Sequence, residues 1–141
     1  MTNQKNSAPQ RGSGKRNSYS TNITGVHHAA VNVSDMERSI AFYRQFGFQP
    51  LFPTQTYSGK DLDKTFNVKG AKLRSALLRG KDGSTIELLQ YLRPRGRPYN
   101  RRNSDIGNMH VAFRVHDIDR AYAKLKKNVL QFNSEPSTVK K

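Results

Sequence analysis

The stretch HAAVNVSDMERSIAFY, residues 28–43, decides how this chain is read, because the chain uses it twice. HVAFRVHDIDRAYAKL, residues 110–125, repeats it at an offset of 82 residues. Six of the sixteen aligned positions are identical: His28/His110, Ala30/Ala112, Val33/Val115, Asp35/Asp117, Arg38/Arg120 and Ala41/Ala123. An internal copy of this kind means one structural unit built twice, with each His at the matching place on a matching strand.

Working outward, residues 23–33 alternate between two faces. Ala29, Val31 and Val33 share one, and His28, Ala30 and Asn32 share the other, as in a period-two strand. Ser34 and Asp35 offer N-caps for the helix that follows, and Glu37 complements the dipole in its first turn. Met36, Ile40, Tyr43 and Phe46 keep helical spacing, so the helix runs to residue 45 or 46 and stops at Gly47. Residues 48–56 suit a second strand, with Pro50 and Pro53 marking it as an edge. DLDKTF, residues 61–66, suggests a short helical turn. Residues 71–79 and 84–92 alternate around the turn signal Lys81-Asp82-Gly83 and read as a hairpin.

The first unit is thus strand, helix and three strands, over residues 23–94. Residues 95–107 form a linker of Arg, Pro, Gly and Asn. From residue 108 the pattern restarts: 108–115 copies the first strand, and 117–127 copies the helix with Ile118, Tyr122 and Leu125 as its apolar stripe. Residues 129–132 begin a copy of the second strand, and residues 108–141 contain no second hairpin. The expected fold class is α+β, two βαβββ modules of which the second, residues 108–141, is incomplete.

Composition narrows the function. Hydrophobic residues make up 34% and mean hydropathy is −0.83, low for a globular domain. Residues 1–22 account for part of this, being basic, free of acid and nearly free of apolar side chains; such a tail is expected to be disordered. No stretch has the length and apolarity of a signal-peptide core or a membrane span, so no membrane association is expected. The chain has no cysteine, which excludes disulfides and thiolate sites and is compatible with a reducing cytoplasm, the expected location. The net charge of +15 favours anionic partners. Without aromatic-interleaved basic motifs or zinc-finger spacing, specific nucleic-acid binding is not expected.

Three residues stand out chemically. His28 on the inner strand face, Glu87 on a later strand and His110 at the repeat-equivalent position would make a divalent-metal constellation of imidazole and carboxylate, with positions left open for substrate or water. Each also has a plainer reading: a strand His is commonly a hydrogen-bonded, half-buried residue, and Glu87 between Ile86 and Leu88 suits a solvated sheet face. His27 falls on the opposite strand face from His28 and reads as structural, like His116. Asp35 and Asp117 read as caps. The arginines between 93 and 102 could embrace an anion, though a solvated loop explains them equally.

Three segments, VHHAAVNVSDMERSIAFYRQFGF (26–48), STIELLQY (84–91) and GNMHVAFRVHDIDRAYAKLKK (107–127), resemble in order and spacing the vicinal oxygen chelate superfamily. That superfamily includes glyoxalases, methylmalonyl-CoA epimerases, extradiol dioxygenases and bleomycin-resistance proteins, and the resemblance covers residues 23–139. It implies a glyoxalase-like domain over residues 23–141 and a divalent ion (zinc, iron, nickel, cobalt or manganese) on His28, Glu87 and His110. The implied function is a lyase or isomerase acting on a small oxygen-bearing substrate, working as a homodimer. A metal-dependent dioxygenase and a non-catalytic ligand-binding module are the alternatives. A fourth family ligand, often Glu, would fall at position 169 when the offset of 82 is added to Glu87. The 141 residues here do not reach it, so the resemblance implies an incomplete second module with an unpaired edge: either another chain fills the gap or the chain is a truncated, inactive product, and no residue is assigned as the catalytic base.

Overall fold

The computed structural model describes residues 23–138 apart from 99, 101 and 129. The basic tail expected to be disordered, residues 1–22, lies outside the described residues. The rest of the first unit folds into a mixed five-stranded sheet with one helix packed across its core face and a short one against its edge strand.

Strand β1 covers Ala29–Asn32, shorter than the alternation in residues 23–33 suggests. Among the described residues its only ladder is with β5, Thr85–Arg93, to which it runs parallel, pairing Ala29 with Ile86 and Asn32 with Leu89. Upstream of Thr85 the chain turns away at Asp82 and Gly83, so residues 23–27 have no strand to pair with. The Thr85 hydroxyl, donating to the His27 carbonyl, closes that end.

Helix α1, Met36–Arg44, begins as the sequence indicates: the Asp35 carboxylate accepts from Arg38 N–H at 2.9 Å. It ends in tight i→i+3 bonds from Gln45, Phe46 and Gly47, and Gly47 takes the positive φ of 86° that reverses the chain. Met36 and Tyr43 face the sheet. Across from them lie Ala76 and Leu78 of β4, Lys72–Arg79, and Ile86 and Leu88 of β5. With Phe48 these residues are the core. The β4–β5 hairpin forms around residues 80–84 as the turn signal requires. In that turn the Ser84 hydroxyl and N–H donate to the Asp82 carboxyl and hold its pKa below the usual carboxylate range.

The single strand expected over residues 48–56 is two. β2, Gln49–Pro50, pairs one half of β4, and β3, Gln55–Ser58, pairs the other half. Pro50 and Pro53 cannot donate to a ladder, so the chain leaves the sheet between them and re-enters. Both pieces lie on the β4 side of the sheet, the edge position the prolines indicate. DLDKTF lies within a helix, α2, Lys60–Phe66. The Asp63 carboxylate accepts from Gly70 N–H at 2.7 Å and Ala71 N–H at 2.9 Å, fixing the loop into β4. On the face that α1 covers, Arg74 pairs with Glu37 of α1 at 2.6 Å and lowers the Glu37 carboxyl below its ordinary pKa.

The second module corrects the expectation. No strand forms over residues 108–116 or at residues 130–132, although the helix copy does form as α3, Ile118–Lys127. The reason is visible in the first module. β1 is a strand because β5 is there to accept it, and the remaining edge of β5 is occupied by β4. The copy has no second hairpin among the described residues, so its backbone groups have no ladder to join. Among the described residues, α3 accordingly has no fully buried residue and packs on no strand or helix. The segment is tied down by Phe113, stacked on Phe46 at 4.6 Å and edge-on to Phe48 at 5.8 Å. No helix among the described residues is long and apolar enough to cross a membrane.

The two copies allow an internal comparison of caps. Asp117 accepts from Arg120 N–H at 2.9 Å, the same bond Asp35 makes. Asp35→Ala is expected to lower global stability by about 1 kcal/mol, because α1 covers the core. Asp117→Ala is expected to fray α3 and leave the global urea midpoint in place. Urea titration followed by circular dichroism checks both; equal midpoint shifts would contradict the separation of α3 from the cooperative core.

Candidate functional site

Strand register brings the site together. Ala30 of β1 pairs with Glu87 of β5, so their side chains share a face, and His28, immediately before β1, reaches Glu87 on that side. On the other flank Leu77 of β4 pairs with Glu87, and Ser75, two residues before it, points the same way. His28, Glu87 and Ser75 therefore converge on the face opposite the α1 core.

Their contacts are specific. His28 Nε2 lies 3.1 Å from Glu87 Oε2, and Ser75 Oγ donates to Glu87 Oε1 at 2.7 Å. His27 Nδ1 lies 2.8 Å from His28 Nδ1, with the two rings edge to face at 5.1 Å between centroids. Glu87 as carboxylate only accepts, so His28 Nε2 carries the proton in that contact. In the neutral imidazole Nδ1 is then the acceptor, and His27 is its donor. The His28 side chain is 35% exposed and that of Glu87 23%, so the pair is within reach of a solute. Beside it the face is apolar, with Leu73 and Leu89 buried, and Tyr57 and Gln55 of β3 at its rim. The Tyr57 hydroxyl donates to Gln55 Oε1 at 2.6 Å.

Of the three metal-ligand candidates, the structure brings two together. His110 is exposed in the segment that forms no strand. Among the described residues no three His, Asp or Glu side chains group closely enough to hold a metal ion. The cause is the missing ladder: a matching residue on a matching strand reaches the site only if that strand joins a sheet. Two open clefts lie elsewhere, flanking α1. One of about 460 Å³ lies among Ile40, Arg44, Pro50 and Phe52, and one of about 490 Å³ among Val31, Phe42, Tyr43 and Leu130. The polar pair is instead on an open sheet face.

Of two further participants, one was read as structural from the sequence and the other was given no role. His27 falls on the far face only if β1 extends through it. The strand starts at Ala29, so the alternation does not reach His27 and its ring turns to His28. Ser75 has the right parity, on one face with Leu73 and Leu77, but only the cross-strand register sets it beside Glu87.

Known proteins match this chain over most of its described length. The profile of the glyoxalase/bleomycin resistance protein/dioxygenase superfamily matches residues 25–140. A 2-epi-5-epi-valiolone epimerase of an Actinomyces species is 33% identical over 104 residues, which are 72% of this chain and 57% of that protein. The chain thus matches little more than half the length of this relative. The crystal structure of a glyoxalase-family protein of Bacillus cereus superposes with a TM-score of 0.63 at 20% identity, covering 75% of this chain and 72% of that one.

Proposed function

Because this chain belongs to the glyoxalase/bleomycin resistance protein/dioxygenase superfamily, we propose that it is an isomerase of the epimerase type, inverting a carbon next to the carbonyl of a small ketone. The observation that carries the reading is the His28–Glu87 pair, 3.1 Å apart and open to solute. Similarity to an epimerase supports the reaction class.

The chemistry follows from the two groups. A carbon next to a carbonyl gives up a proton when its C–H electron pair can move toward the carbonyl oxygen. The Glu87 carboxylate takes that proton as general base. Negative charge then develops on the oxygen, and the His28 N–H, released by Glu87 as that carboxylate is neutralised, turns to meet it. Glu87 releases its proton to solvent, and a proton delivered from solvent to the opposite face of the planar enolate restores the ketone with that carbon inverted. The apolar floor of Leu73 and Leu89 lowers the local dielectric under both steps.

Imidazole and carboxylate also suit a divalent ion. The residues brought together here supply two donors, short of the three expected, so no step is assigned to an ion. In titrations of the metal-free protein with Ni²⁺ alone, His28→Ala is expected to abolish binding, while His110→Ala changes affinity by less than about twofold. A tenfold or larger loss in His110→Ala would mean that residues 108–116 close onto the pair.

The reading is tested with 2-epi-5-epi-valiolone. Incubation with this chain is expected to give an epimer of unchanged mass, resolved by NMR. Saturable binding without conversion would contradict the reading and leave a ligand-binding module in its place.

A further inference from the structure

Ser75 is out of character with its surroundings. On the site face of β4 its neighbours are Leu73 and Leu77, and its cross-strand partner on β5 is Leu89, so the pattern asks for another aliphatic residue. Serine also has a weaker strand preference than the β-branched residues. Its hydroxyl is used in one way, donating to Glu87 Oε1 at 2.7 Å.

That bond matters because a glutamate is hard to aim. The terminal torsion of Glu is broad and roughly twofold, so a carboxylate held by one oxygen still swings. Here His28 holds Oε2 and Ser75 holds Oε1, so both oxygens are engaged and the carboxylate plane is set. The two contacts come from opposite neighbours of β5, one from the β1 side and one from β4.

We propose that Ser75 is a positioning residue that locks the Glu87 carboxylate in line with His28 for proton transfer. The inference rests on the epimerase reading for its catalytic consequence and on geometry alone for the positioning.

The test uses the full chain with Ser75→Ala and Ser75→Thr. Threonine keeps the hydroxyl and suits a strand. The first readout is the set of imidazole nitrogen and proton resonances of His28, which report its hydrogen bond to Glu87 and need no substrate. Ser75→Ala is expected to displace them, and Ser75→Thr to restore them. The second readout is ketone turnover. Ser75→Ala is expected to lower kcat about tenfold, the factor governed by one hydrogen bond to a charged group, with KM within about twofold. Ser75→Thr is expected to recover most of kcat. Wild-type His28 resonances and kcat in Ser75→Ala would overturn the proposal. A wild-type protein that does not turn over the ketone contradicts the epimerase reading instead, and the His28 spectrum of Ser75→Ala still decides the positioning role.

Discussion

Replacing Glu87 by glutamine is expected to lower ketone turnover by about two to four orders of magnitude, the contribution typical of a positioned general base. The substitution keeps the length, branching and volume of the side chain. The amide oxygen still accepts a hydrogen bond, so Ser75 or His28 retains a partner. What is lost is the ability to take a proton, because an amide is not a base near neutral pH. The side chain is partly exposed and lies outside the core cluster, so folding is expected to be little changed. A fall in kcat with an unchanged unfolding curve therefore locates the effect in the reaction. Glu87→Asp separates basicity from reach: it keeps the carboxylate and withdraws it from both His28 and Ser75. Its activity is expected between those of wild type and Glu87→Gln, and steady-state kinetics on the three proteins checks the order.

The largest expected effect on stability comes from Leu88→Ala. Leu88 is fully buried at the centre of the sheet, where β1, β5 and β4 meet in the order that pairs Val31, Leu88 and Ala76. Met36 of α1 belongs to the same cluster. Truncation of a buried leucine costs about 2–5 kcal/mol, more where neighbours cannot move into the space. Here Ala76 has no further atoms to offer, and Val31 is stiff at χ1. The cost is therefore expected in the upper half of that range. Against a total stability of about 5–15 kcal/mol for an ordinary domain, that leaves little in reserve. Leu125→Ala is the control. It removes the same atoms from α3, where Leu125 is only partly buried and no residue is fully buried, and is expected to cost less than about 1 kcal/mol. Urea unfolding of both variants checks the contrast; a similar loss in each would mean that α3 shares the core.

These two substitutions fall on neighbouring residues of one strand, and they show what was legible in the sequence. Alternation separated Ile86 and Leu88 from Glu87, and that division is the one between core and site. The cap at Asp35, the stop at Gly47 and the turn at Asp82 and Gly83 were also legible, because each depends on residues close in the chain. Three features were not. Strand 48–56 broke in two because the prolines act on hydrogen bonding, which hydrophobic pattern does not record. His27 joined the site because the strand begins after it. Residues 108–116 carry the repeat and yet form no strand, because a strand is made by its neighbour as much as by its own residues. Helix α3 formed because its hydrogen bonds are internal. The same distinction explains the site: His28 and Glu87 meet across paired strands, while His110 has the matching sequence without the ladder.

The measurement that bears most directly on the central claim is deuterium uptake from D₂O into the ketone, followed by NMR for the wild-type chain and for Glu87→Gln side by side. The account predicts uptake at the inverted carbon with wild type, reduced at least a hundredfold in Glu87→Gln. Equal uptake with both proteins, or none with folded wild type, would contradict the assignment of proton transfer to the His28–Glu87 pair.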